Sequence, residues 1–467
     1  MIGTQDNPLR VAIVGSGPAG FYTAEHVLRH EGTHAEVDMF DRLPTPYGLV
    51  RFGVAPDHPK IKSVIRVYDK TAARPGFRFF GNVEVGKDFT VEELQQRYHA
   101  VVFAYGTSVD RHLGIPGEDL EGSHSATEFV NWYNAHPDFA DREFDLSCER
   151  VVVIGNGNVA TDVARMLALT REELETTDTA DHAIEALGGH GVKEIVILGR
   201  RGPAQAAFTN PEVRELGEMA DADIVIDPEE VQLDELSEEW LDSDDATPTN
   251  RRNVEIFTEF AGRQPEGKSR RIILRFLSSP IEIQGDGKVE HVVVGRNELQ
   301  RDDSGTLRAR DTGERETIDC GLVLRSIGYK GVPIDGVPFD ERSGTISNEG
   351  GRVTDDGKQV PGLYAVGWIK RGPSGVIGTN KKDAQETVDN LFADLEAGKI
   401  PEAELAGDRG SIEALLNERK PDHVTFERWQ AIDAAEVERG KPLGRPRVKF
   451  CRAEELVEAS KATKAPA

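Results

Sequence analysis

Cysteine is scarce in this chain. Its 467 residues include three, Cys148, Cys320 and Cys451, widely separated and without a C-x-x-C. That spacing excludes a dithiol redox centre and a thiolate set for an iron–sulfur cluster. No metal site is expected. Each thiol reads as a packing residue, and an odd, unpatterned count fits a reducing compartment. Long apolar runs are missing too, so no segment reads as a membrane span. The opening MIGTQDNPLR has no cationic stretch followed by an apolar one, so no signal peptide is expected and the cytoplasm is the default location. Positive charge is in deficit, with 56 Lys and Arg against 82 Asp and Glu and a net charge of -26. Such a chain repels a polyanion, which excludes nucleic acid as a partner. Much of the acid lies in residues 227–245, which read as a solvated surface segment.

Glycine, in contrast, is present in a pattern. Residues 10–41 read RVAIVGSGPAGFYTAEHVLRHEGTHAEVDMFD. The apolar run from Val11 to Val14 predicts a buried parallel strand. Gly15, Ser16, Gly17, Pro18, Ala19 and Gly20 follow as G-x-G-x-x-G, and a helical pattern comes next. A second strand, 35–40, ends at Asp41. In this arrangement the first glycine permits a tight turn, the second lets a diphosphate approach the backbone, and the third lets helix and strand pack closely. The N–H groups at the helix start have no helical partner and face the anion. Asp41 stands about 20 residues past the last glycine, where a carboxylate accepts ribose hydroxyls.

Arg150 opens a second copy. A strand, 151–154, leads into Gly155-Asn156-Gly157-Asn158-Val159-Ala160 and a helix. The next strand, 194–198, ends in Gly199-Arg200-Arg201, two guanidinium groups where the first copy has an acid. A carboxylate there would repel a 2′-phosphate, whereas paired arginines bind one through forked, charge-assisted hydrogen bonds. The first unit therefore fits FAD or NAD, and the second NADP(H). Between 42 and 59, six prolines and glycines predict an irregular connection holding Arg51, Asp57 and His58, long for a loop without function. Alternation in VEIFTEF, RRIILRFLSSPIEIQG and KVEHVVVGRNEL predicts an antiparallel layer. A strand at 363–366 precedes a glycine-rich turn, and a helix is expected from Val376 or Ile377, its positive end toward a flavin.

The segments GSGPAGFY, PTPYGLVRFGVAPDHPKIK, GNGNVATDVAR, GRRGPAQAAFT, RFLSSPIEI and GWIKRGPSGVIGTNKKDA together resemble the adrenodoxin reductase family, and more narrowly its bacterial NADPH–ferredoxin reductases. The resemblance runs from about Leu9 to about Arg447. It implies an α/β flavoenzyme of two Rossmann-like domains. A discontinuous FAD domain would span 1–109 and 328–467, and an inserted NADP domain 110–327. By motif, FAD falls to the turn Gly15 to Gly20, Asp41, Leu49 and Val85, with Trp368, Gly375, Val376 and Ile377 against its ring. NADP(H) falls to Asn156, Gly157, Asn158, Val159, Arg200 and Arg201, with Arg111 and Glu212 as further contacts. His58 and Glu212 match the pair that the family places near the flavin–nicotinamide contact, the candidate catalytic residues. Asp41 departs slightly, since the family often has Glu there.

The implied function is an FAD-dependent NADPH:ferredoxin oxidoreductase, passing a hydride from NADPH to FAD and then single electrons to an iron–sulfur protein. That transfer needs stacking and proximity more than a protein acid or base, and His58 has a structural reading beside the mechanistic one. Two alternatives stand: an NADPH diaphorase, oxidase or quinone reductase with a small-molecule acceptor, and a nucleotide-sensing module without turnover. An acidic ferredoxin needs a basic surface, for which Arg51, Lys60, Lys62, Arg66, Arg445, Arg447 and Lys449 are the candidates.

Overall fold

All of Leu9–Val14 except Arg10 is buried, as a strand covered on both faces requires. It pairs in parallel with Ala35–Phe40 on one side and Ala100–Phe103 on the other, Val11 lying opposite Val37 and Ala100. Phe77–Phe80 extends the sheet beyond Ala35–Phe40, and Lys358–Ala365 extends it beyond Ala100–Phe103, both in parallel. Two short antiparallel strands, Arg352–Asp355 and Asn348–Glu349, bring the sheet to seven. The chain leaves the central strand toward one edge and comes back on its other side. The strand order therefore reverses just beyond Val14 and Phe103, where open parallel sheets hold their ligands.

The computed structural model describes residues 1–462, and residues 463–467 lie outside the described residues. Two compact units emerge: 1–111 together with the chain from 328 onward, and 112–327. The first contains the sheet above. The helices Pro18–Leu28 and Thr379–Glu396 pack on one face of it, joined in one core by Phe21, Val27, Val388 and Leu391. Its C-terminal part forms three helices, Ser411–Arg419, Phe426–Gly440 and Ala453–Ala459.

The second unit has its own six-stranded parallel sheet. The order is Ser123–Ser125, Leu322–Arg325, Arg150–Ile154, Glu194–Leu198, Arg270–Arg275, Ala222–Ile226. An antiparallel meander, Ser278–Gln284, His291–Arg301 and Leu307–Asp319, stands beside it.

Three expectations need correction. VEIFTEF lies in a helix, Pro248–Ala261, with Asn253, Ile256, Phe257 and Phe260 buried. That three-and-four spacing is a helix stripe, hidden in a seven-letter window that also alternates. Arg270–Arg275 belongs to the parallel sheet and not to the antiparallel layer. The acidic stretch 227–245 is not uniformly solvated, for Glu230 is buried. It accepts the Phe276 N–H at 2.6 Å and the guanidiniums of Arg275 and Arg296 at 2.9 and 3.1 Å. Burial is tolerated because both carboxylate oxygens have donors, two of them cationic. Among the described residues, no helix is long and apolar enough to cross a membrane.

Candidate nucleotide-binding sites

The turn after Leu9–Val14 assigns each glycine a separate task. Gly15 has φ 109°, and a Cβ there would sit 2.6 Å from the backbone of Ala104 and Tyr105 across the strand reversal. A Cβ on Gly20 would sit 2.2 Å from the Gly15 carbonyl oxygen. Gly17 differs, since a Cβ there meets nothing within 4 Å. Neither conformation nor packing demands glycine at 17, so the open space over its backbone is a cradle for something absent from the chain. Pro18 and Ala19 begin the helix, whose first N–H groups look into that space.

Asp41 closes one side. Its Oδ2 accepts the Ser16 N–H at 2.9 Å and the Ser16 hydroxyl at 2.5 Å, and its Oδ1 accepts the Leu43 N–H at 2.9 Å. A carboxylate has about four acceptor positions, so one remains for a ligand. Gly48 presses on the cradle, its Cβ direction ending 3.0 Å from Gly17 Cα. Next to it Leu49 is 42% exposed. Val85 is buried in one core cluster with Phe40, and two residues before it the Val83 N–H donates to the Asp41 carbonyl.

The returning segment arrives through Gly367. A Cβ there would meet Ala19 Cβ at 2.6 Å, and the Gly367 N–H donates to Asp383 at 2.5 Å. Trp368 stacks on Tyr329 with 5.8 Å between ring centroids. Gly375 has φ 80°, Val376 is 55% exposed, and Ile377 is half-buried against the core. The helix expected from Val376 or Ile377 begins at Thr379 instead. The Thr379 hydroxyl accepts the Val376 N–H, and the Thr379 N–H turns back to the Val376 carbonyl, so the glycines wind a tight turn first. Arg111 lies in this unit, its N–H on the Gly328 carbonyl. It lines a cavity of about 390 Å3 with Thr345, Lys370, Arg371 and Ser374. His58 precedes the short helix Pro59–Lys62, and its carbonyl accepts the Ile61 N–H.

The second unit repeats the construction. Gly155 has φ 134°, and a Cβ there would lie 2.1 Å from the Ser326 carbonyl oxygen, while Gly157 again faces open space. Ala160, in place of a third glycine, is fully buried. Asn156 has a buried amide nitrogen with no hydrogen-bond partner among the described residues. Asn158 accepts the Thr209 N–H at 2.8 Å, tying the turn to the segment that carries Glu212, and Val159 follows in the helix. Arg200 and Arg201 emerge exposed from Glu194–Leu198, and neither forms an ion pair among the described residues. Although Arg201 keeps exposed surface, partial desolvation of its guanidinium, helped by the positive charges of Arg200 and Arg308, lowers its pKa from the usual value. Arg308 is itself paired with Asp302 at 2.9 Å, so Arg200 and Arg201 are the two guanidinium groups that an anion would relieve. Glu212 is buried and accepts from Arg165 at 2.9 Å. It therefore does more than favour a helix start.

Arg165, Arg308 and Gly48 were missed in the sequence. Arg165 leaves a trace: a lone charge inside the apolar run Val163 to Leu167 must be buried and paired. The expected basic surface also needs correction. Arg51, Arg445 and Lys449 are buried, and Arg447 pairs with Asp433 and Glu436. Lys60 and Arg66 remain exposed.

Two glycine turns at the heads of two parallel sheets define an oxidoreductase of the two-dinucleotide class. The sequence pattern of the pyridine nucleotide-disulphide oxidoreductases matches residues 9–196. Only the nucleotide half of that description fits, since no disulfide forms among the described residues. The chain is 52% identical to the NADPH-ferredoxin reductase FprA of Mycobacterium leprae, over 96% of this chain and 97% of that one. It is 44% identical to the human mitochondrial NADPH:adrenodoxin oxidoreductase, over 97% and 92%. The solved structure of Mycobacterium tuberculosis FprA in complex with NADPH superposes with a TM-score of 0.91 at 50% identity, covering 98% of this chain and all of that one. The chain belongs to the family of NADPH–ferredoxin and adrenodoxin reductases.

Proposed function

We propose that this protein is an FAD-dependent NADPH:ferredoxin oxidoreductase working in the cytoplasm. FAD would lie in the unit built from both ends of the chain, and NADP(H) in the inserted unit. The observation that carries this reading is a pair of cradles, over Gly17 and Gly157, where an added Cβ would meet no protein atom and whose neighbours differ in charge. Asp41 beside the first suits a bare ribose, and Arg200 with Arg201 beside the second suits a 2′-phosphate. The residues fit the groups. Leu49 and Val376 leave apolar surface uncovered near the first cradle, and the unpartnered Asn156 amide stands ready in the second. When bound, the two nucleotides supply two-electron exchange between nicotinamide and flavin and one-electron release to an iron–sulfur protein.

The chain's own contribution is binding and orientation. Backbone N–H groups after Gly17 and Gly157 hold the diphosphates. Ser16 and Leu43 fix the Asp41 carboxylate, and Arg165 fixes Glu212. The reading places His58 and Glu212 beside the reacting rings, where they orient the nicotinamide and exclude water. Purified protein is expected to be yellow, to bleach on NADPH far faster than on NADH, and to reduce an acidic ferredoxin. Bleaching with dye or quinone turnover but none with any ferredoxin would assign a small-molecule acceptor instead. A colourless protein that binds NADPH without turnover would leave only a sensor.

A further inference from the structure

The loop that presses on Gly17 is held in an unusual conformation. Tyr47 has φ 85°, a region that residues other than glycine seldom enter. Gly48 follows at φ 48° and ψ -124°, and a Cβ there would crowd Gly17 Cα at 3.0 Å. Such a backbone persists only when its surroundings over-determine it. Part of the restraint is local, the Tyr47 N–H donating to the Ser16 carbonyl at 3.0 Å. The rest comes from Asp69, 22 residues on, and from a segment nearly 400 residues further along the chain. The Tyr47 hydroxyl donates to Asp69 at 2.5 Å and receives Trp429 Nε1 at 3.4 Å. Four residues past Tyr47, Arg51 forks onto Glu436 at 2.9 and 2.5 Å. Glu436 has no exposed surface, and Arg51 is 6% exposed.

Glu436 is also the knot of the C-terminal segment. It takes the Phe450 N–H at 3.0 Å and Arg447 at 3.2 Å, and its carbonyl takes the Val448 N–H. Lys449 completes the loop by donating to the Arg51 carbonyl at 3.3 Å. The Arg51 guanidinium lies 5.2 Å from the rings of both Phe52 and Trp429. Of the residues that read in the sequence as an exposed basic patch, Arg51 and Arg447 are therefore turned inward upon Glu436, and Lys449 upon the Arg51 carbonyl.

We propose that the buried Arg51–Glu436–Arg447 cluster is a buckle by which the C-terminal segment sets flavin retention, pinning Tyr47 to Phe52 as a wall of the Gly17 cradle. Glu436 and Arg51 are positioning residues in this proposal, which rests on the assignment of FAD to that cradle. Without the buckle the strained wall relaxes away from Gly17, and the bound flavin loses one side of its site while the fold survives.

The test compares Glu436→Gln, Arg51→Lys and Asp394→Asn with the parent. Asp394 is a fully buried partner of Arg352 in the same unit, about 23 Å along its helix from Thr379. It is thus a matched loss of a buried ion pair far from the cradle. Flavin-to-protein absorbance after gel filtration, and FAD titration of the deflavinated proteins, give the affinity. Glu436→Gln is expected to bind FAD at least tenfold more weakly and Arg51→Lys several-fold, with Asp394→Asn within twofold of the parent. Excess FAD should restore dye reduction by Glu436→Gln with the KM for NADPH unchanged, a rescue that a general folding defect would not allow. Parent-like FAD affinity in a folded Glu436→Gln overturns the buckle, as does an equal loss in Asp394→Asn. Should Glu436→Gln not fold, the proposal stands only if Arg51→Lys loses flavin and Asp394→Asn does not. A parent that binds no FAD at all overturns the cradle assignment and the buckle with it.

Discussion

Arg200 and Arg201 carry the choice of nicotinamide nucleotide, because they are the cations at the strand end that no carboxylate neutralises among the described residues. Hydrogen bonds to charged groups contribute about 1.5–3 kcal/mol each. Two such bonds come to about 3–6 kcal/mol, so the double variant Arg200→Ala, Arg201→Ala is expected to raise the KM for NADPH by about a hundredfold or more, with the KM for NADH changed less than threefold. An unchanged preference between the two would move the 2′-phosphate elsewhere. His190 carries a pH effect. Burial, assisted by the Arg270 charge, pushes its pKa down to about 4 from 6.5. Its Nδ1 accepts the Val192 N–H, and the nearby Leu167 backbone offsets only part of the shift. Above pH 6.5 the ring is neutral folded or unfolded, and the stability is full. As pH falls from 6.5 to 4 only the unfolded chain takes up the proton, and about 2–3 kcal/mol is lost. In His190→Gln the melting temperature should fall less over that window, as read by calorimetry at pH 7, 5.5 and 4.5.

At the scale of elements, the two glycine turns divide into positions that shape the protein and positions that leave room. Gly20→Ala drives a Cβ into the Gly15 carbonyl. Overpacking of this kind costs about 1–3 kcal/mol, visible as a lowered melting temperature of the deflavinated protein. Gly17→Ala meets no protein atom, so the deflavinated protein should melt like the parent while its FAD affinity drops at least tenfold. If both variants melted alike and both kept FAD, the cradle would be misassigned. The turns were legible in the sequence because their glycine spacing is local geometry. The helix Pro248–Ala261 was not, because a few apolar letters fit both a period of two and a spacing of three and four. Which one wins is decided by the partner surface the segment meets.

Across the whole molecule, a net charge of -26 opposes an acidic ferredoxin at long range. At physiological salt the Debye length is about 8 Å, so a local patch prevails over the total. With Arg51, Arg445, Arg447 and Lys449 turned inward and Lys62 half-buried, the exposed candidates from the sequence are Lys60 and Arg66, beside the exposed apolar Ile61 and Val67. Charge reversal at Lys60 and Arg66 is expected to raise the KM for ferredoxin about tenfold at low salt and to leave dye reduction as it was. The difference should shrink as salt rises, because rim charges act mainly on association rate. Equal loss in both assays would remove this face from the docking surface.

The sequence by itself determined the two nucleotide turns, their order, and the opposite charges at the two strand ends. Each of these is set within about 50 residues by backbone sterics and by which side chain ends a strand. The tertiary structure decided which cations face water and which carboxylate gathers them inward. It alone showed that Gly48 lies on Gly17, that Arg165 holds Glu212, and that Glu436 ties the end of the chain to the first cradle. Those contacts join residues 31 to 385 positions apart. A charge in the sequence looks the same whether solvent or a buried partner will satisfy it, and only folding brings the partner near.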